Sequence, residues 1–391
     1  MLTPEHRQII KSTVPLLESG GEALTRHFYE ILLGENPQLR PFFNQANQHS
    51  GDQPRALASG VLMYARHIDQ LDQLAELVTL IGNKHVSLQI QAEHYPIVGA
   101  CLLRAIREVL GPEVATDAVV DAWAAAYQQL AGILIDTEAG LYQATADRAG
   151  GWRGARRFTV VDKVVESDEI TSFYFAASDG GAILAHSPGQ FIGLRLDVDG
   201  TDQRRNYSLS AAANDSHYRI SVKRVAGGAV SSHLHEQVQV GDEVDLFPPS
   251  GHFVLKPAEK PLVLISGGVG ITPTLAMLQA ALPSGRPIHF IHAARNSGVH
   301  AFRDWTDTLA LDHPQLKRFY CYEEAGADPV DAVGYIDHAL LERWMPATRD
   351  VDVYFLGPKP FMRAIKGHLK AMGVPERQCH YEFFGPATAL D

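Results

Sequence analysis

Ala149-Gly-Gly-Trp-Arg-Gly154 leads through Ala155-Arg-Arg into Phe158-Thr-Val-Val-Asp-Lys-Val-Val165, and the change of period across these residues decides the fold. Glycines remove helical preference and the β-branched run after them suits a strand, so a domain boundary falls here. On its N-terminal side, from Thr3 to about Ala146, apolar residues recur at intervals of three and four, as in Ile9, Val14, Leu17 and Leu24, Phe28, Ile31, Leu32. That period predicts an all-α domain over residues 1–148, with about six helices ending in a run from Val114 to Tyr142. Thr3-Pro4-Glu5 reads as a cap before a first-turn proline, and Tyr95-Pro96 and Gly111-Pro112-Glu113 repeat the device. Gly20-Gly21, Gly34 and Gly111 read as helix stops.

On its C-terminal side, short strand-like runs at Ser172 to Ala176, Gln190 to Val198, Asn206 to Ser210, Tyr218 to Val225 and Glu243 to Phe247 are separated by Asp, Gly, Asn and Pro. They predict an antiparallel β-barrel over residues 149–258. From Pro261 the pattern changes again: Leu262-Val-Leu-Ile, Ile288-His-Phe-Ile, Phe319-Tyr-Cys-Tyr and Val351-Asp-Val-Tyr-Phe alternate with helical stretches such as Thr274 to Leu282 and Pro360 to Met372. Strands alternating with helices predict a parallel-sheet α/β domain over residues 259–391, and the chain reads as multidomain.

Composition narrows the class. The 391 residues carry 34 Lys plus Arg against 45 Asp plus Glu, a net charge of −11, and 46% of them are hydrophobic. Such a chain folds into two or three cores, and its acidic balance argues against nucleic acid, which needs clustered cations. Cys101, Cys321 and Cys379 form no C-x-x-C pair, which fits a reducing, cytoplasmic compartment. Met1-Leu-Thr-Pro-Glu-His-Arg carries charge where a secretory signal needs an apolar core. Pro261 to Gly285 lacks charge but is broken by Gly267, Gly268, Gly270, Pro273 and Pro283, so no transmembrane segment is expected.

Arg205-Asn206-Tyr207-Ser208, on a strand after Pro188-Gly189-Gln190-Phe191, offers a cation for a pyrophosphate, an aromatic surface and a hydroxyl for a ring nitrogen, the groups a flavin nucleotide needs. Alone, it reads sooner as an ordinary strand ending in a turn. Gly227-Gly228-Ala-Val230-Ser231-Ser232 is a glycine turn into a helix, whose N–H groups suit a second phosphate. Gly267-Gly268-Val269-Gly270-Ile271-Thr272-Pro273 follows a buried-type strand and opens a helix, as a dinucleotide's phosphates require, although it is not G-x-G-x-x-G and by itself reads as a tight turn. Leu356-Gly357-Pro358 is a second glycine turn at a strand's carboxyl end.

In this order, and with Phe383-Phe384-Gly385-Pro386, these motifs resemble the ferredoxin-NADP reductase superfamily. The resemblance implies FAD on the barrel, held by Arg205, Tyr207 and Ser208 with Gln190, Phe191, Asn206, Gly228, Val230 and Ser231. It places NAD(P)H on Gly268, Val269, Gly270, Ile271, Thr272 and Pro273, and Phe383, Phe384, Gly385 and Pro386 near the flavin. Leu356 stands where many relatives have Cys, which removes a thiol near the hydride path. Phe191 stands where they have Tyr, and keeps the stacking face without the hydroxyl.

In the helical half His85, within Gly82-Asn-Lys84-His85-Val-Ser, is one of 18 histidines and says little alone. Around it Pro41-Phe42-Phe43 offers an aromatic wedge, Tyr29 sits in an otherwise apolar helix, and Gln53 and Leu57 are four apart, able to share a face. The order Tyr29, Phe43, Gln53, Leu57, His85, Tyr95, Glu138, with the reductase behind it, closely resembles the bacterial and yeast flavohaemoglobins across essentially the whole chain. That implies haem b with His85 as the iron ligand, Phe43 packing the porphyrin, Tyr29 and Gln53 facing oxygen, and Leu57 restricting the distal side. Tyr95 and Glu138 are then the polar partners of His85, with Lys84 beside it. Read without the family, Glu138 is a solvated residue near a helix end, Tyr95 a packed corner aromatic and Lys84 an exposed lysine. Pro54 pushes Gln53 away from helical dihedrals and towards a capping role.

The resemblance implies a nitric oxide dioxygenase: NAD(P)H reduces FAD, FAD passes single electrons to haem, and oxygen bound there converts nitric oxide to nitrate, a detoxification. Its partners are small molecules, and a cytoplasmic monomer is expected. Two other readings remain: an oxygen-storing or gas-sensing globin, and an NAD(P)H-dependent reductase of peroxides or other acceptors. Arg295, after the strand from Ile288 to Ile291, stands either to pair with the 2′-phosphate of NADPH or to lie solvated.

Overall fold

The computed structural model describes residues 2–43, 51–326 and 328–384. The chain divides into two compact units, one of residues 2–148 with 199–205, the other of 149–198 and 206–384.

Among the described residues the first unit holds five α-helices: α1 (Pro4–Glu35), α2 (Asp52–Arg66), α3 (Ala75–Leu88), α4 (His94–Leu110) and α5 (Asp117–Ala146). Thr3 caps α1 by accepting the His6 N–H at 3.1 Å, and Gly111 ends α4 with φ +74°. The Gly20-Gly21 stop is corrected: both residues lie inside α1, where a Cβ on Gly21 would stand 3.4 Å from the Ala58 Cβ of α2. The small residue serves close helix packing. Gly34 is the last residue but one of α1, which Asn36 terminates. The start at Val114 is also corrected, because Thr116 supplies the cap and α5 begins at Asp117. The core gathers Ile10, Phe28, Leu32, Tyr64, Ala105 and Trp123 from four helices, each large apolar side chain contributing about 1.5–3 kcal/mol by burial. By length and composition α5 alone among the described helices would be able to cross a membrane; here it packs on α1, α3 and α4 as a core helix.

The second unit begins with β1 (Arg156–Val165), β2 (Ile170–Ala177), β3 (Phe191–Val198), β4 (Thr201–Ser208), β5 (Tyr218–Lys223), helix α6 (Ala229–Glu236) and β6 (Glu243–Ser250). The strands form an antiparallel sheet in the order β4-β3-β6-β1-β2-β5, whose inner face buries Phe158, Val160, Phe173, Phe175 and Ile220. The expected antiparallel domain is present as this sheet, whose two ends approach each other through the isolated bridge Leu209 to Ile220 and through the Ser210 N–H, which donates to the Arg219 carbonyl at 2.9 Å. Gly189 explains part of its motif: with φ +104°, it leaves room for the Phe253 carbonyl and the Met277 methyl where a Cβ would stand.

The remainder is a parallel sheet of β7 (Leu262–Gly267), β8 (Ile288–Ala294), β9 (Leu316–Tyr322), β10 (Ala332–Val333), β11 (Asp352–Leu356) and β12 (Cys379–Tyr381). Helices α7 (Ile271–Ala281), α8 (Arg303–Asp312), α9 (His338–Trp344) and α10 (Lys359–Ala371) accompany it. Every residue of β7 is buried, as in a strand covered on both faces. The charge-free stretch from Pro261 to Gly285 is thus a core strand and helix. The order β10-β9-β8-β7-β11-β12 reverses between β7 and β11, which opens a crevice at the carboxyl ends of these two strands.

Beside that crevice His292 and His300 lie buried, their rings 4.5 Å apart. His292 Nδ1 is 2.8 Å from Ser266 Oγ and His300 Nδ1 is 2.7 Å from the Tyr322 hydroxyl. His300 Nε2 is buried without a hydrogen-bond partner. Burial pushes His292 down to about 3, and burial together with His292, Arg303 and Arg318 pushes His300 well below the usual imidazole range. Both are neutral in the folded protein and charged in the unfolded one at acid pH. Their stabilisation is therefore complete above about pH 6.5 and is lost below it, by up to about 1.4 kcal/mol per pH unit for each. Calorimetric unfolding of the chain at pH 7.5 and 5.5 should show the reductase transition falling, with a shallower fall in His300→Phe.

Candidate functional site

The helical unit sets its polar residues in two groups. In the first, α3 carries His85, whose Nδ1 is 2.6 Å from Glu138 Oε1 on α5 and 3.1 Å from the Tyr95 hydroxyl on α4. Tyr95 itself donates to Glu138 Oε1 at 2.6 Å. Glu138 is only 2% exposed, so the solvated reading is corrected. A buried carboxylate requires partners, and these two supply them. Burial and the adjoining Glu138 raise the Tyr95 phenol well above its ordinary value and keep it a donor. With Nδ1 engaged, Nε2 is the nitrogen placed to ligate a metal, and the carboxylate makes the imidazole a stronger electron donor.

Three residues behind this group escaped the sequence reading. Tyr127 donates to the Tyr95 carbonyl at 2.6 Å, and its ring lies over Gly99, where a Cβ would stand 2.5 Å away. Tyr142 donates to the Ile90 carbonyl at 2.8 Å, fixing the turn after α3. A tyrosine in an apolar helix and a glycine within another carry no signal of such pairing. Lys84 is half-buried next to His85 on α3.

In the second group Tyr29 on α1 is buried, with the Phe43 ring edge-on at 5.6 Å and a hydrogen bond to the Gln53 side chain. Burial pushes its phenol well up, and the bond to Gln53 acts in the opposite direction. Gln53 does not cap α2: Gly51 is the capping residue, and Gln53 and Pro54 both occupy the first turn, where a missing N–H costs nothing. Thr25 fixes that turn to α1 by donating to the Pro54 carbonyl at 2.8 Å. Phe43 and Leu57 pack against the same core as Tyr29, and Val78 on α3 borders both groups.

Among the described residues no three His, Cys, Asp or Glu side chains gather around a metal position. A single imidazole with apolar and aromatic walls therefore suits a metal that brings its own equatorial ligands, as a porphyrin does.

Strand β4 carries Arg205, the last residue of the 199–205 stretch, and then Asn206, Tyr207 and Ser208 of the reductase unit, with Tyr207 packed on the sheet core and Ser208 buried. Gln190 has a scaffolding part: its Oε1 accepts the Ser187 N–H at 2.9 Å and its Nε2 donates to the Gly251 carbonyl at 3.2 Å. Phe191 lies against Gly251, whose φ of +113° and missing side chain make room for the ring. Gly228 begins α6, Val230 enters the core, and Ser231 Oγ accepts the Val225 N–H at 3.2 Å, which closes the loop before the helix. No side chain caps α6 at Gly228, which leaves its first-turn N–H groups to be satisfied by a ligand such as a phosphate.

Across the sheet Gly268, with φ +54°, has open space where a side chain would be. A Cβ on Gly270 would meet the Leu356 carbonyl oxygen at 2.5 Å and one on Gly357 the Phe361 ring at 2.6 Å. The two glycine turns thus sit backbone to backbone over the crevice, which is the cradle a dinucleotide's phosphates fit. Val269 is half-buried, and Ile271, Thr272 and Pro273 are buried in the first turn of α7, with Thr272 Oγ1 donating to the Val269 carbonyl at 3.0 Å. Leu356 ends β11 fully buried. Phe383 packs on the sheet core beside Tyr381, Phe384 is 52% exposed, and Gly385 and Pro386 lie outside the described residues. Arg295 is not simply solvated: its guanidinium pairs with Glu169 in the β1–β2 turn.

Residues 26–134 match the Globin family, 157–255 the Oxidoreductase FAD-binding domain and 264–367 the Oxidoreductase NAD-binding domain. The whole chain is 67% identical to the flavohemoprotein of Burkholderia sp. (strain TH2) and 63% identical to that of Pseudomonas aeruginosa, in each case over 100% of both chains. A flavohemoglobin structure from Malassezia yamatoensis with bound FAD and heme covers 98% of this chain and 100% of its own, with TM-score 0.86 and 27% identity. The FAD/NAD-binding domain of a nitric oxide dioxygenase from Vibrio cholerae covers 60% of this chain and 100% of its own, with TM-score 0.56 and 37% identity. With a globin, an FAD-binding and an NAD-binding domain in one chain, an oxidoreductase that passes electrons from NAD(P)H to haem is built in, and the chain belongs to the flavohemoprotein family.

Proposed function

We propose that this chain is a cytoplasmic nitric oxide dioxygenase that consumes NAD(P)H and oxygen and releases nitrate. The observation that carries the reading is the Glu138–His85–Tyr95 cluster, because a carboxylate on the proximal imidazole favours reactive oxygen chemistry over reversible storage. The nitric oxide dioxygenase whose FAD/NAD domain resembles this one, and the three free cysteines, support it.

When bound, nicotinamide supplies hydride, flavin converts it to single electrons, and haem supplies the one-electron oxygen chemistry that turns nitric oxide into nitrate. His85 would hold the iron, and Glu138 and Tyr95 keep its Nδ1 proton and ring orientation fixed. Tyr29, kept protonated by its burial and aligned by Gln53, would offer a hydrogen-bond donor to the diatomic substrate. Phe43 and Leu57 wall the site with apolar surface and exclude water. Arg205, Tyr207 and Ser208 would hold FAD, and the backbone from Gly268 to Pro273 would take the pyrophosphate of NAD(P)H. Carrying the reductase on the same chain raises its effective concentration at the haem and spares each turnover a diffusional encounter.

The test supplies NADH, air and nitric oxide to the purified protein. Nitrate should form in proportion to NADH consumed; uptake of hydroperoxide in preference to nitric oxide would reject the reading. Glu138→Gln should slow nitrate formation by about 10–100-fold, the usual cost of losing such a ligand partner, while NADH-dependent ferricyanide reduction stays intact.

A further inference from the structure

Resting on the reading of the second unit as an NAD(P)H reductase, we infer that Glu169 is a specificity-determining residue that selects NADH by occupying Arg295, a cation placed for a 2′-phosphate at the exit of β8. The pyrophosphate cradle is at the end of β7 and the start of α7. In a parallel sheet of this kind the adenosine ribose then lies against the end of the neighbouring strand, where an acidic side chain accepts a 2′-hydroxyl or an arginine accepts a 2′-phosphate. Here that neighbour is β8, and Arg295 is the first residue beyond it.

The arginine is already engaged. Glu169, in the turn between β1 and β2, holds the Arg295 guanidinium on one carboxylate oxygen and Lys223 Nζ on the other at 2.9 Å. Glu169 is itself fixed: its carbonyl accepts the Arg224 N–H at 2.7 Å, and the preceding Asp168 N–H donates to the Gly298 carbonyl at 2.9 Å. The turn is thereby tied to the loop after β8 by backbone as well as charge. Two more acidic residues follow β9 along the same edge. The N–H groups of Glu323 and Glu324 donate to the Ala294 and Arg295 carbonyls at 3.0 and 2.9 Å, and Asn296 Nδ2 donates to Glu324 Oε2 at 3.1 Å.

A 2′-phosphate arriving here must displace Glu169 from Arg295 and approach Asp168 and Glu324 against like charge. A 2′-hydroxyl needs only an acceptor, which Glu324 provides, and leaves every ion pair in place. The discrimination is therefore repulsive as much as attractive, and it resides in a residue that belongs to the flavin-side sheet.

The experiment uses the full chain loaded with FAD and haem and measures kcat/KM for NADH and NADPH with ferricyanide as acceptor, so nitric oxide chemistry plays no part. In parallel, calorimetry measures binding of AMP and of adenosine 2′,5′-bisphosphate, which differ only by the 2′-phosphate, and this arm reports even if electrons reach no acceptor. The wild type should favour NADH by about tenfold or more. Glu169→Gln should raise kcat/KM for NADPH and tighten the bisphosphate by about fivefold, the range of a partly exposed ion pair, with NADH and AMP essentially unchanged. Adding Arg295→Leu should erase that gain. Equal use of both nucleotides by the wild type, an unmoved ratio in Glu169→Gln, or a gain that survives Arg295→Leu would each overturn the assignment.

Discussion

Replacing His85 with alanine should yield a protein that no longer holds haem and no longer forms nitrate, yet still reduces ferricyanide with NADH. The imidazole is the side chain of its group with a nitrogen left for iron once Nδ1 is engaged, so its loss removes the Soret band as well as activity, by at least about 100-fold, or roughly 2.7 kcal/mol of barrier. A second effect follows from Glu138. At 2% exposure its carboxylate would keep Tyr95 alone as a partner, and a buried acceptor that loses a hydrogen-bond partner costs about 1–3 kcal/mol. The helical unit of His85→Ala should therefore melt earlier, and adding Glu138→Gln should restore part of that loss without restoring haem. Exogenous imidazole should recover colour. Retention of haem and unaltered nitrate production in His85→Ala would remove this histidine from the site.

The second large effect is expected at Gly270. A methyl there would stand 2.5 Å from the Leu356 carbonyl oxygen, 2.7 Å from its carbon and 2.9 Å from the Gly357 nitrogen. All three atoms are backbone, so no rotamer change relieves the clash, and the ends of β7 and β11 must separate. Overpacking of this kind costs about 1–3 kcal/mol, and it falls on the loop that approaches the pyrophosphate. Gly270→Ala should thus lose NADH-dependent ferricyanide reduction by more than about tenfold while the haem spectrum stays unchanged. Gly268 provides the contrast: its surroundings are open, and Gly268→Asn, which tolerates φ near +54°, should lower stability by no more than about 1 kcal/mol. Equal stability losses at the two glycines would contradict the close-approach argument.

What was legible in the sequence was local or periodic. Thr3-Pro4 announced a helix start because the cap and the proline act within one turn, and the full burial of β7 follows from its uninterrupted apolar run. Gly20-Gly21 misled because a glycine pair looks the same whether it ends a helix or lets two helices approach, and only Ala58 on another helix decides between them. How the antiparallel sheet's two ends come together was not legible, since that depends on how Leu209 meets Ile220 and not on either strand's pattern. At the haem-type site, His85 and Glu138 are 53 positions apart, and neither residue signals the other. Their pairing was available only through family likeness. Tyr127, Tyr142 and Thr25 stayed silent because their parts are played against backbone atoms of distant segments. Arg295 was ambiguous for the same reason, its partner lying in a turn of the other sheet.

The proximal carboxylate also sets a limit on dissecting the molecule. Glu138 lies four residues beyond the stretch that matches the Globin family, and Tyr142, which secures the turn after α3, lies further still. An oxygen probe trimmed to the family's edge at residue 134 would keep the iron-binding nitrogen but lose the anion that enriches it. Such a trimmed probe should behave as a carrier, releasing its gas unchanged, and a useful excision has to run to the end of α5.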